Sequence, residues 1–319
     1  MAKKLSSPPG VIVAADESPG TMKSRFDKVG IADSLEMRAK WRELIASAPI
    51  ANAGAAGIIL HSEMLEIPGV VEPLKKQGII IIVKIDGGLA DFGDRGEQVT
   101  KYAENLPELL QKWKELGAEA TKFRSVFKIS DTTPSDELIA ANAKVQATLA
   151  KMTQDAGMVP MIEPEVLRTG DHNLQKDIDV TGKVQDEVFE EVKKAGVDLT
   201  TSILKPNMIT PGEDSTDTPT VEEVAQATLD VLNNHAPKEL AGINFLSGGI
   251  SDELSEQYLN RICQLAKQQG QENISASFGR AIVGKPLSIW AGDDKNTQAA
   301  QDALVERVKK SSLARQGKL

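Results

Sequence analysis

Eight short, densely apolar runs punctuate the chain, at residues 11–16, 57–61, 79–86, 120–124, 159–167, 202–208, 242–247 and 274–279. Each is nearly continuous in apolar character rather than alternating, as strands buried on both faces of a parallel sheet are. Between most of them the apolar positions recur at helical spacing instead. Met37, Trp41, Leu44, Ile45 and Ala48 fall on one helix face, and Leu106, Leu109, Leu110, Trp113 and Leu116 on another that stops before Gly117, its expected C-cap. A third stripe, Leu138, Val145, Leu149 and Met152, predicts a helix with Thr133 as N-cap, Pro134 at the first helical position and Asp136 in the first turn. Three more stripes follow: Val184, Val188, Phe189 and Val192 before Gly196; Val221, Val224, Ala225 and Leu232; Leu259, Ile262, Cys263 and Ala266 before Gly270.

Eight strands alternating with helices are what a (β/α)8 TIM barrel requires, although a doubly wound open sheet shows the same alternation. No Pro/Gly/Ser-rich linker divides the 319 residues, and the composition does not shift along them. The expected architecture is therefore α/β: a single TIM-barrel domain over residues 1–319, with a flexible N-terminus at 1–10 and a C-terminal helical extension at 283–319. The longest uninterrupted apolar stretch, residues 79–83, is far short of the roughly 20 residues that cross a membrane, so no membrane association is expected.

Lys and Arg number 37 against 46 Asp and Glu, a net charge of −9, which argues against a nucleic-acid partner or an anionic membrane surface. The single cysteine, Cys263, cannot form an intramolecular disulfide and lies on an apolar helix stripe, so a buried small hydrophobe in a reducing, cytoplasmic protein is expected. His61, His172 and His235 are far apart, and no Cys or His pair has metal-ligand spacing. Neither a metal nor another cofactor is expected.

The strand runs end in charges: Asp16; Lys84 and Asp86; Lys122 and Arg124; Glu163 and Glu165; Lys205; Arg280. Within a barrel strand a charge is costly except at the C-terminal mouth. A solvated face accounts for any one of these residues but not for so many at the same end. Three lysines and two arginines beside several acids suit a phosphorylated, anionic substrate. Ser247, Gly248 and Gly249 follow the seventh strand and Gly279 and Arg280 the eighth, where barrels bind phosphate through backbone N–H groups. A lysine in such a mouth is a candidate nucleophile for carbonyl attack. Lys205 and Lys122 are expected to depress one another's pKa, and simple phosphate binding by both is the alternative. Glu163 is a candidate proton shuttle if Glu165 keeps its pKa from falling too far.

Eight ordered motifs extend this reading: AADESPGT at 14–21, VKIDGG at 83–88, TKFRSVFKI at 121–129, MIEPEVL at 161–167, GDHNL at 170–174, LKPNMITPG at 204–212, FLSGGIS at 245–251 and FGRA at 278–281. Through them the chain resembles class I fructose-bisphosphate aldolase from about residue 11 to residue 282. The resemblance implies a TIM barrel that reversibly cleaves fructose 1,6-bisphosphate to dihydroxyacetone phosphate and glyceraldehyde 3-phosphate without metal, in glycolysis, gluconeogenesis or the Calvin cycle. It implies Lys205 as the Schiff-base lysine, Glu163 as proton shuttle with Glu165 as its neighbour, Asp16 as the acceptor of the C4 hydroxyl proton, and Lys122 with Arg124 as the adjoining charge network. Ser247, Gly248, Gly249, Gly279 and Arg280 match the C1-phosphate site. Ser18, Thr21 and Lys84 match the C6-phosphate side, and Arg38 a further phosphate-side arginine.

Three departures from the family pattern stand out. Phe123 replaces the usual aromatic of the TKFR motif, no arginine lies near Ala51 and Asn52, and the only tyrosines, Tyr102 and Tyr258, do not match the C-terminal tyrosine of animal members. A lysine-dependent aldolase or transaldolase for another phosphosugar, and a phosphosugar-binding protein without activity, are the competing readings. A homo-oligomer stays open.

Overall fold

The computed structural model describes residues 1–319. Its elements are, in order, α1 (Ala2–Ser6), β1 (Val11–Ala15), α2 (Pro19–Asp27), α3 (Leu35–Ser47), β2 (Ala55–His61), α4 (Pro68–Lys76), β3 (Ile80–Lys84), β4 (Leu89–Phe92) and β5 (Glu97–Thr100). Then come α5 (Leu106–Glu115), β6 (Ala120–Lys128), α6 (Asp136–Asp155), β7 (Val159–Leu167), α7 (Leu174–Lys194), β8 (Ile203–Leu204) and α8 (Val221–His235). The series closes with β9 (Gly242–Phe245), α9 (Asp252–Gln268), β10 (Ile274–Phe278), α10 (Arg280–Trp290) and α11 (Thr297–Arg315).

Eight of the strands close into a parallel barrel in the order β1-β10-β9-β8-β7-β6-β3-β2, while β4 and β5 form a separate antiparallel pair. Closure decides for the TIM barrel over an open sheet. All eight apolar runs are barrel strands. Their side chains do alternate, but between two apolar environments. Val11, Val13 and Ala15 join the shell between strands and helices, whereas Ile12 and Ala14 point into the barrel. Likewise Ile81 and Val83 face the shell and Ile80 and Ile82 the interior; Ile162 faces the shell and Val159 and Met161 the interior. Polar–apolar alternation is invisible where both faces are dry.

The segment expected to be flexible is ordered instead. Helix α1 closes the floor of the barrel, with Leu5 fully buried in the interior cluster; burying it contributes roughly 2 kcal/mol. Asn244 Nδ2 donates to the Leu5 carbonyl at 3.0 Å, and the Ser6 hydroxyl donates to Asn244 Oδ1. The plug fits because Gly57 and Gly242 lack side chains. A Cβ at Gly57 would stand 2.6 Å from Leu5 Cδ2, and one at Gly242 would overlap the Ser6 side chain.

Two boundaries also move. Helix α6 starts at Ser135, not Thr133: Ser135 is extended (φ −73°, ψ 153°) and its hydroxyl accepts from the Leu138 N–H. Buried Glu97 of β5 holds that cap by accepting from the Ser135 N–H at 2.7 Å and its hydroxyl at 2.6 Å. Residue 283 falls inside α10, the helix that follows the eighth barrel strand, so the extension proper is α11. Trp290 of α10 stacks on Trp41 of α3, with ring centroids 5.5 Å apart, and meets Phe26 of α2. That aromatic group ties α2 and α3 to the C-terminal end of α10. No helix is long and apolar enough to cross a membrane.

Candidate active site

Strand parity carries the chemistry to one place. Continuing each inward series by two residues gives Ile12-Ala14-Asp16, Ile80-Ile82-Lys84, Ala120-Lys122-Arg124, Val159-Met161-Glu163-Glu165 and Ile203-Lys205. Each series passes from apolar floor to charged mouth. There the side chains line a cavity of about 300 Å³ together with Ser18, Thr21, Ser247, Gly248, Gly249, Gly279 and Arg280.

The centre is an alternating chain of buried charges. Lys122 Nζ lies 2.6 Å from Asp16 Oδ2, 3.1 Å from Glu163 Oε2 and 4.0 Å from Asp86 Oδ2. Glu163 turns its other oxygen, Oε1, to Lys205 Nζ at 2.9 Å. Arg124 pairs with Glu165, and Lys84 with Asp86 at 3.3 Å. The Lys205 backbone N–H donates to the Ile162 carbonyl at 2.8 Å, which seats the lysine immediately past β8.

These neighbours decide the ionisation states. Burial pushes the Asp16 carboxyl up, but Lys122 and Lys205 outweigh it and hold the group far below the ordinary carboxylate range. Burial would likewise drive the Lys122 ammonium down, yet Asp16, Glu163 and Asp86 hold it well above the usual lysine value. Lys122 is therefore not depressed by Lys205 as expected, because two carboxylates lie closer to it than any cation. Glu163 is also lowered: burial raises it, and Lys122, Lys205 and Arg124 together prevail. The carboxylate that works against this lowering is Asp16 rather than Glu165, which is committed to Arg124.

Anion-binding geometry flanks the cluster. Gly248 and Gly249 adopt left-handed backbone (φ 50° and 91°), and the N–H groups of residues 247–249 donate to no other backbone group. Helices α6, α7, α8 and α9 are capped by Ser135, Asn173, Thr220 and Ser251 side chains, but α10, beginning at Arg280 after Gly279, has no side-chain cap. Its first N–H groups remain free beside the same cavity, where an oxyanion would satisfy them. Across the cavity, Ser18 caps α2 by accepting from the Thr21 N–H.

Of the candidate residues, only Arg38 stands outside. Its Nε donates to Glu63 at 3.0 Å and its Nη1 to both oxygens of Asp33 at 2.9 Å, so its donors are spent on α3's own surroundings. Another arginine takes the place beside Thr21. Arg25 lines the cavity and pairs with Glu17, which Arg42 holds from behind at 2.6 Å. Helical spacing contained that signal, since Thr21 and Arg25 lie four residues apart on one face of α2. A larger cleft of about 460 Å³ at the α6 N-terminus has no comparable buried cluster; its Lys183 and Asp136 are paired with each other at 2.5 Å on the surface.

The sequence profile of the family described as "Fructose-bisphosphate aldolase class-I" matches residues 1–319. The chain is 37% identical to fructose-bisphosphate aldolase C-A of Danio rerio and 36% identical to fructose-bisphosphate aldolase C of Rattus norvegicus, over 100% of this chain and 89% of each relative. Its fold is similar to that of fructose-bisphosphate aldolase from Plasmodium falciparum, solved in a ternary complex with TRAP and a small-molecule inhibitor. The TM-score is 0.95 at 34% identity, covering 99% of this chain and 93% of that one.

Proposed function

The chain belongs to the class I fructose-bisphosphate aldolase family, and on that premise we propose that Lys205 forms the Schiff base through which it cleaves fructose 1,6-bisphosphate. The contact that carries this reading is Lys205 Nζ on Glu163 Oε1 at 2.9 Å, with Lys122 on the other carboxylate oxygen. Glu163 takes a proton from the lysine as the amine adds to the C2 carbonyl. It returns one to the carbinolamine hydroxyl, so water leaves and a protonated imine remains. Lys122 stays an ammonium throughout and stabilises the carboxylates on both sides of it.

Asp16, held ionised, accepts the C4 hydroxyl proton. The C3–C4 bonding pair moves into the iminium, glyceraldehyde 3-phosphate leaves and an enamine remains. Lys122 hands a proton to Glu163 as it takes up the one that Asp16 accepted, Glu163 delivers that proton to C3 of the enamine, and hydrolysis of the regenerated imine releases dihydroxyacetone phosphate and free Lys205. The C1 phosphate takes the free N–H groups of residues 247–249, the uncapped start of α10 and Arg280. Ser18, Thr21 and Lys84 take the C6 phosphate, and Arg25 joins them. Six cations against four carboxylates line the cavity, a balance that suits a bisphosphate in a chain of net charge −9. The step belongs to glycolysis, gluconeogenesis or the Calvin cycle, and the lone buried Cys263 suits a reducing cytoplasm.

Borohydride reduction in the presence of dihydroxyacetone phosphate is expected to attach a triose phosphate to the peptide containing Lys205. Label on another lysine overturns the assignment, and a strong loss of activity with EDTA overturns the metal-free route.

A further inference from the structure

At the floor of the barrel, remote from the mouth, α11 ends on Arg315, a side chain only 5% exposed. Two other arginines are buried as deeply, Arg42 and Arg307. Each of those faces a carboxylate, Arg42 on Glu17 at 2.6 Å and Arg307 on Glu256 at 2.9 Å. Arg315 faces none. Its Nη2 donates to the carbonyls of Ser6 and, at 2.6 Å, of Glu272, and its Nε is buried without a partner. Carbonyl dipoles and the C-terminal end of α11 favour a cation there but supply no countercharge. A buried ion left without one costs several kcal/mol.

Arg315 borders a cavity of about 160 Å³ that also reaches Lys267, Lys318, Glu272 and Cys263. That volume holds several waters and so a small tetrahedral ion. Three cations meet one carboxylate around it. Lys267 forms no ion pair, and Lys318 Nζ donates only to Gln316 Oε1 at 2.9 Å. Burial pushes the Cys263 thiol up to about 12, so it stays neutral and does not balance the charge.

We propose that this floor cavity is a second anion site, built on Arg315 and rimmed by Lys267 and Lys318, that binds inorganic phosphate or an ion of its size and charge. Bound there, the anion steadies Arg315, whose Nη2 ties the end of α11 to the α1 plug at the Ser6 carbonyl and to the entry to β10 at the Glu272 carbonyl. Its effect is therefore on stability, through preferential binding to the folded chain.

The test compares wild type with Arg280→Ala, which weakens the C1-phosphate end of the mouth, in phosphate and in chloride of equal ionic strength. Both proteins are expected to gain melting temperature in millimolar phosphate. Adding Arg315→Met to Arg280→Ala is expected to remove the part of that gain which the floor supplies. Equal gains with and without Arg315→Met overturn the proposal. If Arg315→Met does not fold, Lys267→Met on the exposed rim is expected to weaken phosphate binding about threefold, and an unchanged affinity overturns it. Selenate soaked into crystals is expected to give an anomalous peak in the cavity beside the Arg315 guanidinium; a peak at the mouth alone counts against the site.

Discussion

At the mouth of the barrel Lys122, 3% exposed, stands between Asp16 and Glu163, whereas at the floor Arg315, 5% exposed, meets only carbonyl oxygens. The two ends are built from the same strands, whose inward side chains run from Ile, Val and Ala below to Asp, Glu and Lys above. The difference teaches how a barrel handles buried charge. Where opposite charges come from neighbouring strands, each desolvation penalty is offset by the next residue, and the cluster is rigid enough to hold reactive groups in register. Where Arg315 enters from the last turn of the terminal helix, no carboxylate pairs with it, although Arg307 two turns earlier on the same helix has Glu256.

The most severe way to break the comparison is at the mouth. Lys205→Met is expected to lower kcat by at least about a thousandfold, about 4 kcal/mol of transition-state stabilisation, with the melting temperature nearly unchanged. A loss of only tenfold would show that another amine carries the chemistry. Lys122→Met removes the cation shared by Asp16 and Glu163 and leaves two carboxylates facing each other. It is expected to destabilise the fold by about 3–5 kcal/mol at neutral pH, and calorimetry should show part of that loss recovered on acidification as one carboxylate protonates. In wild type the sign is opposite. Asp16 and Glu163 have depressed pKa values when folded, so their contribution is fully present above the ordinary carboxylate range and is lost as the pH falls from that range through their lowered folded values.

At the floor the expected effect is smaller and leaves chemistry alone. Gly57→Ala places a Cβ 2.6 Å from Leu5 Cδ2. It is expected to cost about 1–3 kcal/mol in denaturant unfolding with kcat intact, whereas a fall in kcat would mean that plug and mouth are coupled. The smallest effect concerns Asp177 of α7, a buried carboxyl that accepts from the Thr210 N–H at 2.8 Å and the Thr181 hydroxyl at 2.9 Å but has no cation. Burial pushes it up to about 7, outweighing both hydrogen bonds. Its folded pKa is raised, so its stabilising protonation is complete below about pH 4 and is lost as the pH rises through about 7. Asp177→Asn is expected to remove that slope and to gain about 1–2 kcal/mol at pH 8; a slope unchanged between pH 4 and 8 would assign it to other groups.

Much of this was legible along the chain. A strand buried on both faces must be continuously apolar, so all eight barrel strands stood out, and a charge ending such a run has only the mouth to occupy. The hairpin β4–β5 did not stand out, because its residues are half exposed and its short run, LADF, carries an aspartate. Nor did α1, five residues long and polar in composition, whose burial rests on two glycines, Gly57 and Gly242, far away in sequence. Ser135 was passed over as a cap because Thr133-Pro134 offered the same local pattern two residues earlier. Glu97, which holds the true cap, comes from another element.

By itself the sequence determined the eight barrel strands, the charges Asp16, Lys84, Lys122, Glu163 and Lys205 that end them, and the motifs that place the chain in its family. These are local properties, written in continuous apolar runs and the residues that close them. Only the tertiary structure decided who meets whom: that Lys122 is held as an ammonium by Asp16 and Glu163, that Arg38 is taken by Asp33 and Glu63 while Arg25 reaches the cavity, and that Arg315 meets carbonyl oxygens without an ion pair. Ion pairing depends on strand register and on the path of distant helices, and neither is encoded in the spacing of residues along one segment.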